Sequence, residues 1–153
     1  MSTKNTWLLV AGIANLALTA LHLVVIVVGA DAYRFFGAGE SMASKAEEGS
    51  LIPAAITLFV ALVFALFALY AFSGAGLVRR APLLRVALVV ISFIFVLRGL
   101  SLFPQTAILL TGRGTFPLRF VVFSGASLII GLVFALGTCQ SWRNLARVAS
   151  KAA

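Results

Sequence analysis

The chain has 153 residues, 62% of them hydrophobic and 10% charged, with a mean hydropathy of +1.13. A soluble domain carries about 25% charged residues to solvate its surface, so these proportions exclude a soluble globular domain and favour lipid as the solvent. The net charge of +8 does not point to nucleic acid, because the basic residues fall between apolar runs, where topogenic positive charge gives the same statistic.

An apolar helix needs roughly 20 residues to cross about 30 Å of hydrocarbon. Four stretches reach that length, about residues 7–29, 51–72, 84–104 and 118–138, and none holds an acidic residue. They predict an all-α integral membrane protein, a four-helix transmembrane bundle forming a single membrane domain over 1–153.

The first stretch follows Lys4 and precedes Ala30-Asp31-Ala32, an A-x-A pattern. It is longer than the 7–15 apolar residues of a signal peptide and carries Asn15 and His22, so it reads as a true span. Gly12, Asn15, Thr19 and His22 fall at steps of three, four and three and form one stripe. Residues 30–50 then hold all four acids of the chain, Asp31, Glu40, Glu47 and Glu48. Glu40 to Glu48 predicts a short surface helix closed by Gly49.

Ser50 caps the second span, and Pro53 sits in its first turn, where a missing N–H costs little. Thr57, Ala61, Ala65 and Ala68 give that span a small-residue face, the kind through which helices associate in lipid. Loop 73–83 carries Arg79 and Arg80, with Arg85 just beyond. The third span is rich in Val, Ile and Phe and has no comparable small stripe; its distinguishing residue is Arg98, with Ser101 one turn later. Segment 105–117 admits two readings, a continuation of the third helix past a Pro104 kink or a re-entrant dip. The fourth span has a small face of Ser124, Ser127, Gly131, Ala135 and Thr138. The single cysteine, Cys139, cannot form an intrachain disulfide.

Orientation follows from the basic residues. Lys4, Arg79, Arg80, Arg85, Arg143, Arg147 and Lys151 lie on one side, against Arg34, Lys45, Arg113 and Arg119 on the other. The positive-inside rule places both termini in the cytoplasm (N-in/C-in), with loop 73–83 and tail 139–153 cytoplasmic and 30–50 and 105–117 outward. Trp7, Tyr70 and Trp142 then sit at the inner interface and Tyr33 at the outer one, as aromatic belts require. The expected location is the plasma (bacterial inner) membrane.

Counted from the outer edge of each span, His22, Thr57, Arg98 and Ser124 lie at a similar depth, about 9–10 Å at the helical rise. This layer predicts an outward-facing pocket centred on His22 and Arg98, lined by Asn15, Thr19, Thr57 and Ser124 and closed by Glu40. Arg98 can hold a carboxylate or phosphate bidentately. Histidine is the side chain suited to a proton switch near neutrality.

No GxxxxGK[ST] is present, and one histidine gives neither bis-histidine haem ligation nor an H-E-x-x-H zinc site. No cofactor or metal is expected. The layout resembles that of small proton-coupled exporters, which use a membrane-embedded Glu; no span here contains a carboxylate, so the resemblance is one of layout. Three functions fit. The first is an accessory or scaffolding membrane component with no chemistry of its own, working with a protein partner or a second copy. The second is a binder or transporter of a small anion or anionic lipid at His22 and Arg98. The third is an outer-leaflet enzyme acting on a lipid or quinone, with His22 as acid–base. The expected partners are the lipid bilayer and, according to function, an anionic lipid, a small anion or another protein, but not nucleic acid.

Overall fold

The computed structural model describes residues 5–112 and 117–147, with backbone alone for 143–147. Lys4, Arg113 and Lys151 of the orientation argument lie outside the described residues, as do the side chains of Arg143 and Arg147. The regular structure of the described residues is all helical, with no β-strand among them: α1 (Thr6–Val28), α2 (Ala30–Phe36), α3 (Glu40–Glu47), α4 (Ile52–Gly74), α5 (Leu84–Gly99), α6 (Leu102–Thr111) and α7 (Leu118–Arg147). Four stretches, Thr6–Val28, Ile52–Gly74, Leu84–Thr111 and Leu118–Trp142, are long and apolar enough to cross a membrane. At 1.5 Å per residue, α1 and α4 are each about 34 Å long.

The third stretch is longer than its sequence suggests because Pro104 interrupts hydrogen bonding without ending the helix. Leu100 and Ser101, between α5 and α6, both keep right-handed helical angles. Pro104 has no N–H to offer the carbonyl four residues back; that Leu100 carbonyl accepts from Phe103 N at 3.2 Å, and the regular pattern returns with Gln105 N on Ser101 O. Of the segment 105–117, open to two readings in the sequence, residues 105–111 are therefore a continuation of the helix.

The chain divides into two compact units, Ala14–Ala68 and Met1–Ile13 with Leu69–Ala153, and the division passes through α1 and α4. In the first, α2 and α3 form a small helical hairpin after α1. Gly29 joins α1 to α2 at φ 78°, ψ −136°, a region that a β-carbon forbids. Gly37 ends α2 in the left-handed conformation, and Ala38 N donates back to Tyr33 O at 2.9 Å, a Schellman closure. Gly49 and Ser50 close α3 in the same way, through bonds to Ala46 O and Lys45 O. Val25, Ala32, Tyr33 and Ala43 form the buried cluster of the hairpin.

The second unit is built on α5 packed against α7. A β-carbon on Gly99 would stand 2.6 Å from Leu128 Cα, and one on Gly131 would stand 2.7 Å from Val96 N. The two helices thus touch backbone to backbone at two points. Ser92 Oγ donates to Gly131 O at 3.0 Å, and the Phe95 and Phe134 rings stack 6.0 Å apart beside it. The third span therefore does have small contact residues, Ser92 and Gly99, which its Val, Ile and Phe content hides.

Asn5 fastens the start of α1 to α7. Its Oδ1 accepts from Leu8 N at 3.1 Å, the N-cap arrangement, while Nδ2 donates to Gly137 O at 2.7 Å and Ser141 Oγ at 2.5 Å. Leu8, wholly buried, packs against Gly74 and Gly137. Ser73 Oγ brackets the turn after α4 by donating to Arg79 O and accepting from Ala81 N. Arg85 donates to Trp142 O and lies over the Trp142 ring, 4.7 Å from its centroid.

Candidate functional site

The sequence-derived site residues fall in both units: Asn15, Thr19, His22, Glu40 and Thr57 in Ala14–Ala68, and Arg98 and Ser124 in the other. Each set has its own geometry.

In the first set, hydroxyls and the imidazole turn back on their own helices. Thr19 Oγ1 donates to Asn15 O at 2.9 Å, bringing those two residues together, and the Asn15 side chain is fully buried. His22 Nδ1 lies 2.7 Å from Leu18 O. A carbonyl only accepts, so Nδ1 carries a proton in this contact. The ring packs on Phe64 with centroids 5.0 Å apart. Thr57, buried, donates to Pro53 O at 2.8 Å and meets the Tyr33 hydroxyl at 3.5 Å. Satisfying a hydroxyl at the preceding turn is the usual solution where water is scarce.

Glu40 belongs to an ion cluster on the helical hairpin. Arg34 donates through Nε and Nη2 to the Glu40 carboxylate and through Nη1 to Glu47 Oε1 at 2.6 Å; Asp31 Oδ1 lies 3.8 Å away. Hydrogen bonds from Arg34 hold the Glu40 and Glu47 carboxyls below the usual range, and the same bonds raise the guanidinium further. Ser44 adds a weak contact to Glu40 at 3.5 Å. Arg34 is thus salt-bridged to two acids of the 30–50 segment, Glu40 and Glu47.

In the second set, Arg98 and Ser124 are joined directly. Arg98, near the end of α5, donates from Nη1 to Ser124 Oγ on α7 at 3.3 Å. Ser124 is completely buried and donates its own hydrogen bond to Gln105 Oε1 on α6 at 2.8 Å. Three helices thus meet in one relay, guanidinium to hydroxyl to amide. With its oxygen turned to Ser124, Gln105 offers its amide N–H groups elsewhere. This cluster offers mainly donors and can receive a carboxylate or phosphate.

Gln105 is the member that sequence reasoning missed, because only one of the two readings of 105–117, the continued helix, puts it on the face of Arg98. A signal was present: positions 98, 101, 102 and 105 share one face of an unbroken helix. Tyr33, placed by sequence at the outer interface, is 2% exposed, and its hydroxyl meets that of the buried Thr57. Among the described residues no group of three or more His, Cys, Asp or Glu could hold a metal ion. No protein-family model, curated protein or solved structure matches this chain.

Proposed function

We propose that the chain is a multi-pass protein of the plasma (bacterial inner) membrane, with both termini cytoplasmic, acting as an accessory or scaffolding component. One observation carries this reading. The polar side chains of the long helices are engaged as internal fasteners: Thr19, His22, Thr57, Ser127 and Thr138 each bond a carbonyl one turn back, and Ser92 ties α5 to α7. The back-bonded groups are satisfied within their own helices, the Ser92 bond fastens one helix to another as polar groups do in lipid, and a large apolar exterior is left for lipid or a partner helix.

The test is native electrophoresis of detergent-solubilised membranes, with a C-terminal reporter that is active only outside the cytoplasm. The expected result is a silent reporter and a complex larger than the 16.1 kDa chain. That complex survives His22→Ala and Arg98→Ala but is lost in Gly131→Leu. Migration as a lone monomer overturns the scaffold reading, and an active reporter overturns the orientation.

A second reading is favoured by the Arg98–Ser124–Gln105 relay: binding of a small anion or anionic lipid. Here a permanent cation is held at a fixed position by a buried hydroxyl, an arrangement suited to anion recognition.

A further inference from the structure

Arg98 is a charge among hydrocarbon. Ile94, one turn before it on α5, and Leu97 and Leu100 beside it are all exposed. Its own unit has no acidic side chain, since Asp31, Glu40, Glu47 and Glu48 all lie within Ala14–Ala68. The same unit holds every Lys and Arg of the chain except Arg34 and Lys45. No acidic side chain of that unit can therefore neutralise Arg98, and the group it bonds there, the Ser124 hydroxyl, is neutral. An arginine inside a bilayer costs about 2.5–3.5 kcal/mol on insertion scales, a cost that an anion from the surroundings offsets.

The relay fixes what kind of anion fits. Ser124 accepts from Arg98 and donates to Gln105 Oε1, so the remaining guanidinium N–H groups and the Gln105 amide N–H groups are donors. A planar guanidinium fork matches two oxygens of a phosphate. Arg98 lies about 21 Å along the helix from Leu84 at 1.5 Å per residue, which leaves about 9 Å of a 30 Å hydrocarbon core. A long side chain can close much of that distance toward the headgroups.

We propose that Arg98 and Gln105, positioned by Ser124, form a headgroup site for an anionic phospholipid, the recognised group being a lipid phosphate that no headgroup cation neutralises, so that a choline headgroup is disfavoured beside Arg98. This deepens the anion reading above and rests on the membrane placement proposed there. Arg98 and Gln105 touch the phosphate; Ser124 is a positioning residue whose hydroxyl sets the angle between them.

The experiment uses the full chain, purified in a neutral detergent, and reads thermal stabilisation and native mass spectra. Three additives are compared: phosphatidylglycerol, phosphatidylcholine and inorganic phosphate. Phosphatidylglycerol is expected to raise the unfolding temperature and to remain bound in the mass spectrum, whereas the other two do neither. Arg98→Gln is expected to weaken that binding about tenfold, the loss of a charge-assisted pair. Gln105→Leu and Ser124→Ala should weaken it severalfold; they also supply the answer if Arg98→Gln does not fold. An equal response to phosphatidylcholine, or binding unchanged in the variants that fold, overturns the proposal. A matching response to inorganic phosphate assigns the site to the free ion and overturns the headgroup. Resistance to alkaline extraction from membranes is measured in parallel: extraction removes the membrane placement and this proposal together, while an inserted chain with no preference for phosphatidylglycerol removes this proposal alone.

Discussion

Gly131 on α7 lies so close to α5 that a β-carbon on it would stand 2.7 Å from the backbone nitrogen of Val96. The approach is reciprocal, since Gly99 on α5 meets the Leu128 backbone of α7 equally closely. Interfaces of this kind hold through dense packing rather than through burial from water.

Gly131→Leu should therefore force α5 and α7 apart. The expected loss is about 1–3 kcal/mol or more, the range of overpacked sites, seen as a lower unfolding temperature in detergent. Gly125 is the internal control: a β-carbon there meets nothing within 4 Å, and Gly125→Ala should stay within about 0.5 kcal/mol of the native chain. Equal behaviour of the two variants would show that the α5–α7 contact does not hold the unit together.

Asn5 does two jobs that substitution can separate. Asn5→Ala loses both the cap and the grip on α7, with an expected cost of about 1–2 kcal/mol. Asn5→Asp keeps the capping oxygen but sets an acceptor against Gly137 O in place of Nδ2. It should be no more stable than Asn5→Ala. Full recovery in Asn5→Asp would mean that the cap alone matters.

The two glycines flanking α2 should differ in tolerance. Gly37 is left-handed at φ 80°, ψ 28°, a conformation that asparagine visits, so Gly37→Asn should cost about 1 kcal/mol or less. Gly29, at φ 78°, ψ −136°, lies in territory nearly closed to side chains, and Gly29→Asn should cost about 1–3 kcal/mol. Thermal unfolding of the two variants side by side gives the order; the reverse order would contradict this backbone account.

The Arg34 cluster sets a pH window for the α2–α3 hairpin. Glu40 and Glu47 have carboxyls lowered by hydrogen bonds from Arg34. Their contribution is complete above the ordinary glutamate range, about 4.3, and is lost as the pH falls through the lowered values. Hydrogen exchange of the α2–α3 amides, corrected for intrinsic rates, should accelerate below that range in the native chain. In Arg34→Gln the acceleration should be much smaller, and high salt should blunt it in both, since the pairs are exposed. Identical profiles for the two proteins would deny the cluster any role in ordering the hairpin.

Much of the helical layout is legible in the sequence, because spanning length and apolar composition leave little choice. Stripes of small and polar residues also point correctly to several buried positions: Gly12 and Asn15 on α1, Thr57, Ala61 and Ala68 on α4, and Ser124, Gly131 and Thr138 on α7. Three features were not legible, each for a physical reason. Gly99 is invisible as a contact until the azimuth of α5 against α7 is known. Gln105 depends on the helix surviving Pro104, which turns on whether one carbonyl finds a substitute donor. Asn5 precedes an apolar run and announces a cap, but its second bond reaches a residue 132 positions away, and no local pattern encodes that. His22 and Arg98 were linked in the sequence by depth alone, whereas the bonds that define each one are to Leu18 and to Ser124.

The confinement of every acid to Ala14–Ala68 has a consequence for biogenesis. A membrane potential does electrophoretic work of about 2.3 kcal/mol per charge per 100 mV. In the proposed orientation the loop after α1 carries Asp31, Glu40, Glu47 and Glu48 against Arg34 and Lys45, so an inside-negative potential drives its export. The segment before and at the start of α7 carries Arg113 and Arg119 with no acid, and the same potential resists it. The first hairpin is pulled across by the energised membrane, and the second crosses on the hydrophobicity of its helices alone. A collapsed potential would then retard export of the first loop and ease that of the second.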